Sequence, residues 1–363
     1  MLRTTTRSIA VFLLLAASLA HAQRAIFALS YRDTQASRNS RPHPTIFTAT
    51  PDEKVAMVRN LLKTEIYAAD LSGKRSLLFS DEQLKLELQP RNESGYVVVR
   101  GDKAYMPGVE RRWQGQPNPG VLADPPAMYE LTLDGSNRFR KLFELQTNPS
   151  PLVLNPAGTK AFLTAFMGDK YVAFIYDTST WKLLQRWDMD ALLEEHCPDC
   201  MPITQGWAGD DKLFFRLEMV GDDDEADKKE NAEGIYVVHE DGSDAGKLAR
   251  EPGRPMMATR KVHAPKPAAD SEQLLVITGP DGTAQKGIPL QNAKGARLFQ
   301  LAPSGKFLLF VEDRLLKNYT TERHLWAKDM ATGEEKELYV LPPPGYQNSQ
   351  PNMTLTLLGW SEP

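Results

Sequence analysis

The chain is poor in the residues that assemble most local catalytic and metal motifs. Cysteine occurs twice and histidine six times in 363 residues. No G-x-S-x-G elbow is present, which removes the local signature of an α/β-hydrolase, and no such domain is expected beyond Pro363. H-E-x-x-H is missing as well: His239 precedes Glu240, but no second His follows at helical spacing. Neither G-x-x-x-x-G-K-[ST] nor G-x-G-x-x-G stands at a strand–helix junction, so phosphate-cradling loops are not indicated. Scattered His43, His196, His239, His263 and His324 read as structural or solvated residues, and no metal or cofactor site is expected. An excess of positive charge is also absent. The formal net charge is −4, with the charges dispersed, which argues against nucleic-acid binding.

Only one long apolar run exists, and it lies at the start. Arg3 and Arg7 precede the stretch from Ile9 to Ala20, and Ala20-His21-Ala22 supplies an A-x-A cleavage site before Gln23. Residues 1–22 are therefore expected to be a secretory signal peptide, and residues 23–363 the mature chain. Its removal takes away two arginines and leaves no integral membrane segment. The mature protein is expected in the periplasm or outside the cell.

What is abundant is a repeated unit. Turns rich in Gly, Pro and Asp lead into short apolar strands at Pro51-Asp52-Glu53-Lys54-Val55, Pro156-Ala157-Gly158-Thr159-Lys160 and Pro303-Ser304-Gly305-Lys306-Phe307. Weaker copies start at Gly101, Gly209 and Ala269. A second feature follows in five copies: a strand, an Asp turn and another strand, around Asp70, Asp134, Asp177, Asp241 and Asp329. The Asp carboxylate accepts backbone N–H groups, and the Gly that follows supplies the positive φ a tight hairpin needs. Residues 161–166 and 171–176 are almost continuously apolar, the pattern of strands buried on both faces. A unit recurring at roughly 40–60 residues, none able to bury its apolar face alone, indicates a radial β-architecture. The expectation is an all-β fold: a single β-propeller of six or seven four-stranded blades. Blade spans fall at about 44–80, 95–145, 150–188, 203–250, 255–291 and 297–341. Ala25–Tyr31 and Thr354–Trp360 are strand-like, and either pair to close the ring or build a seventh blade. Helix is expected only at Ala191–Glu195 beyond the leader, with Asp190 as its N-cap.

The turn–Gly–Lys–strand unit followed by strand–Asp–x–x–Gly–Lys–strand resembles the repeat of TolB-type, WD-like β-propellers, and also that of the propeller domains of prolyl-oligopeptidase-like enzymes. The resemblance covers most of residues 44–341. It implies an exported bacterial propeller and an interaction platform.

Three local features stand out. Cys197-Pro198-Asp199-Cys200 is expected to form a local disulfide, because the helix before it and the neighbouring acids disfavour a reactive thiolate and an exported pair oxidises. The acidic run Gly221–Asp227 lacks the spacing of a calcium loop and reads as a solvated insertion between two strands of one blade. Residues 107–125 form a long loop in which Arg111, Arg112 and Trp113 combine an aromatic with two cations, a combination enriched at binding hot spots. The leading function is a non-catalytic binding or scaffold protein for a protein or glycan partner. The alternative is an enzyme or enzyme subunit with a central-channel site, either a lactonase-like hydrolase or the heavy subunit of a periplasmic amine dehydrogenase, whose residues come from different blades and leave no local motif.

Overall fold

The computed structural model describes residues 23–32, 62–88, 98–110, 127–145, 152–219, 233–252, 256–260, 272–278, 283–291, 296–317, 321–342 and 353–362. Strands numbered in chain order form antiparallel sheets, each built mainly from consecutive strands. The first sheet holds β1 (Arg24–Arg32), β2 (Leu62–Asp70), β3 (Arg75–Ser80) and the final strand β24 (Met353–Ser361), in the order β24-β1-β2-β3. The second holds β4 (Leu86–Leu88), β6 (Lys103–Glu110), β7 (Ala127–Thr132) and β8 (Phe139–Glu144), with β5 (Val98–Arg100) also on β6. The third is β9 (Val153–Leu154), β10 (Lys160–Met167), β11 (Lys170–Asp177) and β12 (Leu183–Asp188). Next come β13 (Cys200–Trp207), β14 (Lys212–Met219), β15 (Gly234–His239) and β16 (Gly246–Leu248), then β17 (Met256–Arg260), β18 (Glu272–Thr278) and β19 (Ala284–Pro289). The last sheet is β20 (Ala296–Leu301), β21 (Phe307–Leu315), β22 (Thr321–Asp329) and β23 (Glu335–Leu341).

The fold is an all-β β-propeller. Five of these sheets reach the four strands of a full blade, and the sheet of β17–β19 has three among the described residues. The expectation of six or seven four-stranded blades is thereby corrected to five full blades. In each full blade one of the five Asp turns closes the last hairpin, whereas in the sheet of β17–β19 three strands pair among the described residues.

Those turns behave as the residue types require. Asp70 accepts from the backbone nitrogens of Ser72 at 2.8 Å and Lys74 at 3.0 Å. Asp134 accepts from Ser136, Asp177 from Thr180, Asp241 from Ser243, and Asp329 from Ala331 and Thr332. Gly73, Gly135, Gly242 and Gly333 then take φ of 78–83°, the left-handed region.

The two terminal strands pair along their length, Ala25 opposite Trp360 and Tyr31 opposite Met353, inside the sheet that also holds β2 and β3. They build no separate blade. Two helical pieces are described: α1 (Asp81–Leu84) and α2 (Asp190–His196). The first was not expected, although Ser80-x-x-Gln83 spells a capping box, and both of its reciprocal bonds are formed. In α2 the cap is Met189 rather than Asp190, and Asp188 instead accepts from the Asp190 backbone nitrogen at 2.9 Å.

The chain divides into two compact units. One unit contains β1–β4, β6, β7 and β20–β24, around a core that includes Phe27, Leu309, Val311, Leu325, Leu357 and Trp360. The other contains β9–β19, around Phe162, Ile175, Trp207, Leu213 and Phe215. Complete burial of a side chain such as Phe162 contributes about 1.5–3 kcal/mol. As the continuous apolar runs imply, β10 and β11 are buried through their centres.

Candidate functional site

Arg111, Arg112 and Trp113 lie outside the described residues. The strands on either side are antiparallel neighbours, and β6 extends through Glu110, so residues 107–110 belong to a strand instead of the expected loop. Gly221–Asp227 is also outside the described residues; it joins β14 to β15, which pair in one sheet, as an insertion within a blade requires.

Cys197 and Cys200 are joined, with their Cα atoms 5.3 Å apart. Cys197 caps the C-terminal end of α2, where its backbone nitrogen donates to Leu193. Both sulfur residues are buried in the core with Met189, Leu192 and Trp207, so the bond pins the connection between β12 and β13 from inside.

Exposed apolar and cationic groups come together on β10, β11 and β12. Alternation along the strands places Lys170, Val172 and Phe174 on one face, with Asp188 opposite Val172 and Arg186 opposite Phe174. The other face turns Phe162, Ala173 and Ile175 into the core. At the end of the β10–β11 hairpin, Met167, Gly168, Lys170, Val172, Arg186 and Asp188 line a cavity of about 460 Å³. Lys170 donates to Asp188 at 2.9 Å and to Asp190 at the start of α2. Hydrogen bonds to Asp190 and then Asp188 hold its ammonium well above the usual lysine range, while the Lys170 bond holds the Asp188 carboxyl down. Arg186 lies over the Phe174 ring, 5.7 Å from its centroid. Along the same edge strand Leu183 and Leu184 are 48% and 54% exposed, and Phe166 packs on Tyr171 nearby. Edge strands are ordinarily blunted by charge. The outer strand β23 opens with Glu335-Lys336-Glu337, whereas β12 opens with Leu183-Leu184-Gln185.

A second cavity of about 460 Å³ is lined by Lys160, Gln185, Asp211, His239, Glu240, Asp241, Ser243 and Asp244. Lys160 pairs with Glu240 there, and the Ser243 hydroxyl and backbone N–H hold the Asp241 carboxyl down. Among the described residues no group of three or more His, Cys, Asp or Glu is arranged to hold a metal.

A buried polar cluster sits on β21–β23. His324 is 3% exposed, with Nδ1 2.7 Å from Glu337 and Nε2 2.9 Å from Glu322. Beside it Trp326 stacks with the imidazole and donates Nε1–H to Glu312, which also accepts from Arg314. Sequence reasoning missed this cluster. The alternation Glu322-x-His324-x-Trp326-x-Lys328 was its signal, and that pattern is ordinarily read as a solvated strand face. Elsewhere, burial and then Glu130 push Tyr105 up to about 12. Burial alone would raise Glu130, but hydrogen bonds from Arg140 and Lys103 hold its carboxyl below the usual range.

No known protein family matches the chain, and no curated protein sequence matches it. Solved structures similar to it include the β-propeller domain of the Trilobed protease from Pyrococcus furiosus, at 13% identity and a TM-score of 0.36, covering 77% of this chain and 75% of that one. TolB from Acinetobacter baumannii is 12% identical with a TM-score of 0.41, covering 92% of this chain and 66% of TolB. A puromycin-hydrolysing peptidase of Mycobacterium tuberculosis is 12% identical with a TM-score of 0.39, and the match covers 78% of this chain but 45% of the peptidase.

Proposed function

We propose that residues 23–363 form an exported β-propeller, periplasmic or secreted, that acts as a non-catalytic binding or scaffold protein for a protein or glycan partner. The observation that carries this reading is the edge of β12. Two adjacent exposed leucines stand on the strand that also carries Arg186, which lies over the Phe174 ring and lines the cavity. An open strand edge offers unpaired backbone groups to an incoming segment, and the leucines offer it apolar area. The loop bearing Arg111, Arg112 and Trp113 is a second contact in this proposal. Affinity capture from the native periplasm tests it: wild type retains a partner, and Leu183→Glu/Leu184→Glu and Trp113→Ala each weaken retention while leaving thermal unfolding nearly unchanged. Retention unaffected by both changes would overturn the surface assignment.

The second reading is an enzyme or enzyme subunit, and the buried His324 cluster favours it. Both imidazole nitrogens there are engaged by carboxylates, so a substrate would have to displace Glu322 or Glu337 to reach the ring. A hydrolase and dehydrogenase substrate screen run beside the capture separates the two readings. Turnover abolished by His324→Gln establishes the enzyme.

A further inference from the structure

The start of β1 carries an inference that rests on the export reading, namely cleavage after Ala22. Arg24 is the first residue of the ladder, opposite Asp70 on one side and Ser361 on the other. Gln23, half-buried, stands one place outside it with no strand partner. Among the described residues one long contact, 3.4 Å from Nε2 to Glu362 Oε1, holds its carboxamide. Glu362 itself is well fixed, because it also accepts from the Ser304 backbone nitrogen at 2.8 Å and from the Ser304 hydroxyl. Arg24 is anchored through its guanidinium to the Leu133 carbonyl at 2.9 Å.

We propose that Gln23 is a modification site, and that the mature chain ends in pyroglutamate. The α-amine released by cleavage attacks the side-chain Cδ of the same residue. A C–N bond forms and closes a five-membered lactam, the Cδ–Nε2 bond breaks, and Nε2 leaves as ammonia with the proton shed by the amine. No oxidant, reductant or second substrate is consumed. The position suits the reaction. A residue within the ladder could not fold its side chain back on its own nitrogen without giving up a rung, whereas Gln23 gives up only the one contact to Glu362. The product has no terminal positive charge and is closed to ordinary aminopeptidases, so Arg24 and its bond to Leu133 are protected from trimming.

Intact mass and N-terminal sequencing of the protein recovered from the native periplasm test this. The expected species is residues 23–363 lighter by one ammonia, blocked to sequencing and opened by a pyroglutamate-specific aminopeptidase. Gln23→Glu, which cyclises far more slowly, should be exported equally and remain sequenceable. Unmodified 23–363 that stays sequenceable after prolonged incubation overturns the inference and leaves the cleavage reading standing. A chain beginning at another residue overturns both. Equal blocking of Gln23→Glu and wild type also overturns the inference, since the block would then not arise from the glutamine carboxamide.

Discussion

Trp187 of β12 closes directly over Gly242 in the β15–β16 turn. A Cβ added to Gly242 would meet the indole Cε3 at 2.9 Å and Cζ3 at 3.0 Å. The same indole stands edge-on to Phe215 in the core. Adjacent blades of this unit are thus fitted through a ring lying where a side chain would otherwise be. Gly73 offers an internal control, since it has the same φ of 83° in the equivalent turn with nothing within 4 Å of the added carbon. Gly73→Ala should cost only the left-handed backbone strain, about 1–2 kcal/mol. Gly242→Ala should add an overpacking cost of about 1–3 kcal/mol. Urea titration of both variants checks this, and equal losses would show that Trp187 moves aside freely.

Much of this architecture was readable, and the reasons are local. An Asp carboxylate that accepts nearby backbone N–H groups favours a turn whatever surrounds it, and a Gly follows in four of the five copies, so the turns from Asp70 to Asp329 could be placed from sequence. The blade count failed because turn–strand starts were counted, and such a start does not show that four strands pair behind it: the sheet of β17–β19 has three among the described residues. The short helix α1 was overlooked because four residues carry no periodicity, and Ser80 with Gln83 was its only signal. The His324 cluster was illegible for a different reason. Glu312, Glu322 and Glu337 come from three strands, and their meeting depends on register, which includes an irregularity between Leu325 and Trp326.

The turn carboxylates predict an acid limb of stability. The hydroxyl and backbone N–H of Ser136 hold Asp134 at about 2, and the hydroxyls of Ser179 and Thr180 hold Asp177 at about 2, against an ordinary value of 3.8. A carboxyl whose folded value is depressed contributes stability that is complete above the unfolded value and is lost as pH falls through the folded one. The contribution of these turns should therefore disappear between roughly pH 4 and pH 2. Thermal midpoints measured across that window should fall less steeply for Asp134→Asn/Asp177→Asn than for wild type. Parallel curves would show that the turns do not retain their hydrogen bonds in solution.

The Cys197–Cys200 bond is predicted to be a protected staple of small energetic weight. Both residues are nearly inaccessible, at 1% and 6% exposed. Alkylation of the exported protein should label neither sulfur under native conditions, and without reduction the peptide should be lighter than the dithiol by two hydrogens. Closing so short a loop contributes only about 2 kcal/mol in the chain-entropy account. Cys197→Ser/Cys200→Ser should fold with a loss of that order. Stoichiometric zinc or haem in the purified protein would contradict the assignment.

The last prediction concerns Lys328, which carries an ammonium into the packed face of β22. Its side chain is 5% exposed and that of Glu335 is 1% exposed, with 3.1 Å between Nζ and Oε1. Nζ also donates to the Gly333 carbonyl at 2.9 Å, so the pair ties the β22–β23 turn to the sheet. Desolvating two charges offsets most of their attraction, and the pair therefore adds little net stability over apolar residues of similar size. Removing one member is another matter, because it takes from a buried charge its ion-pair partner. Lys328→Met alone should cost about 3–5 kcal/mol, whereas Lys328→Met/Glu335→Leu should recover most of that loss. Urea titration of the two single variants and the double variant gives the coupling directly. Additive losses would mean that Glu335 is satisfied by its other neighbours and that the ammonium is held by Gly333 alone.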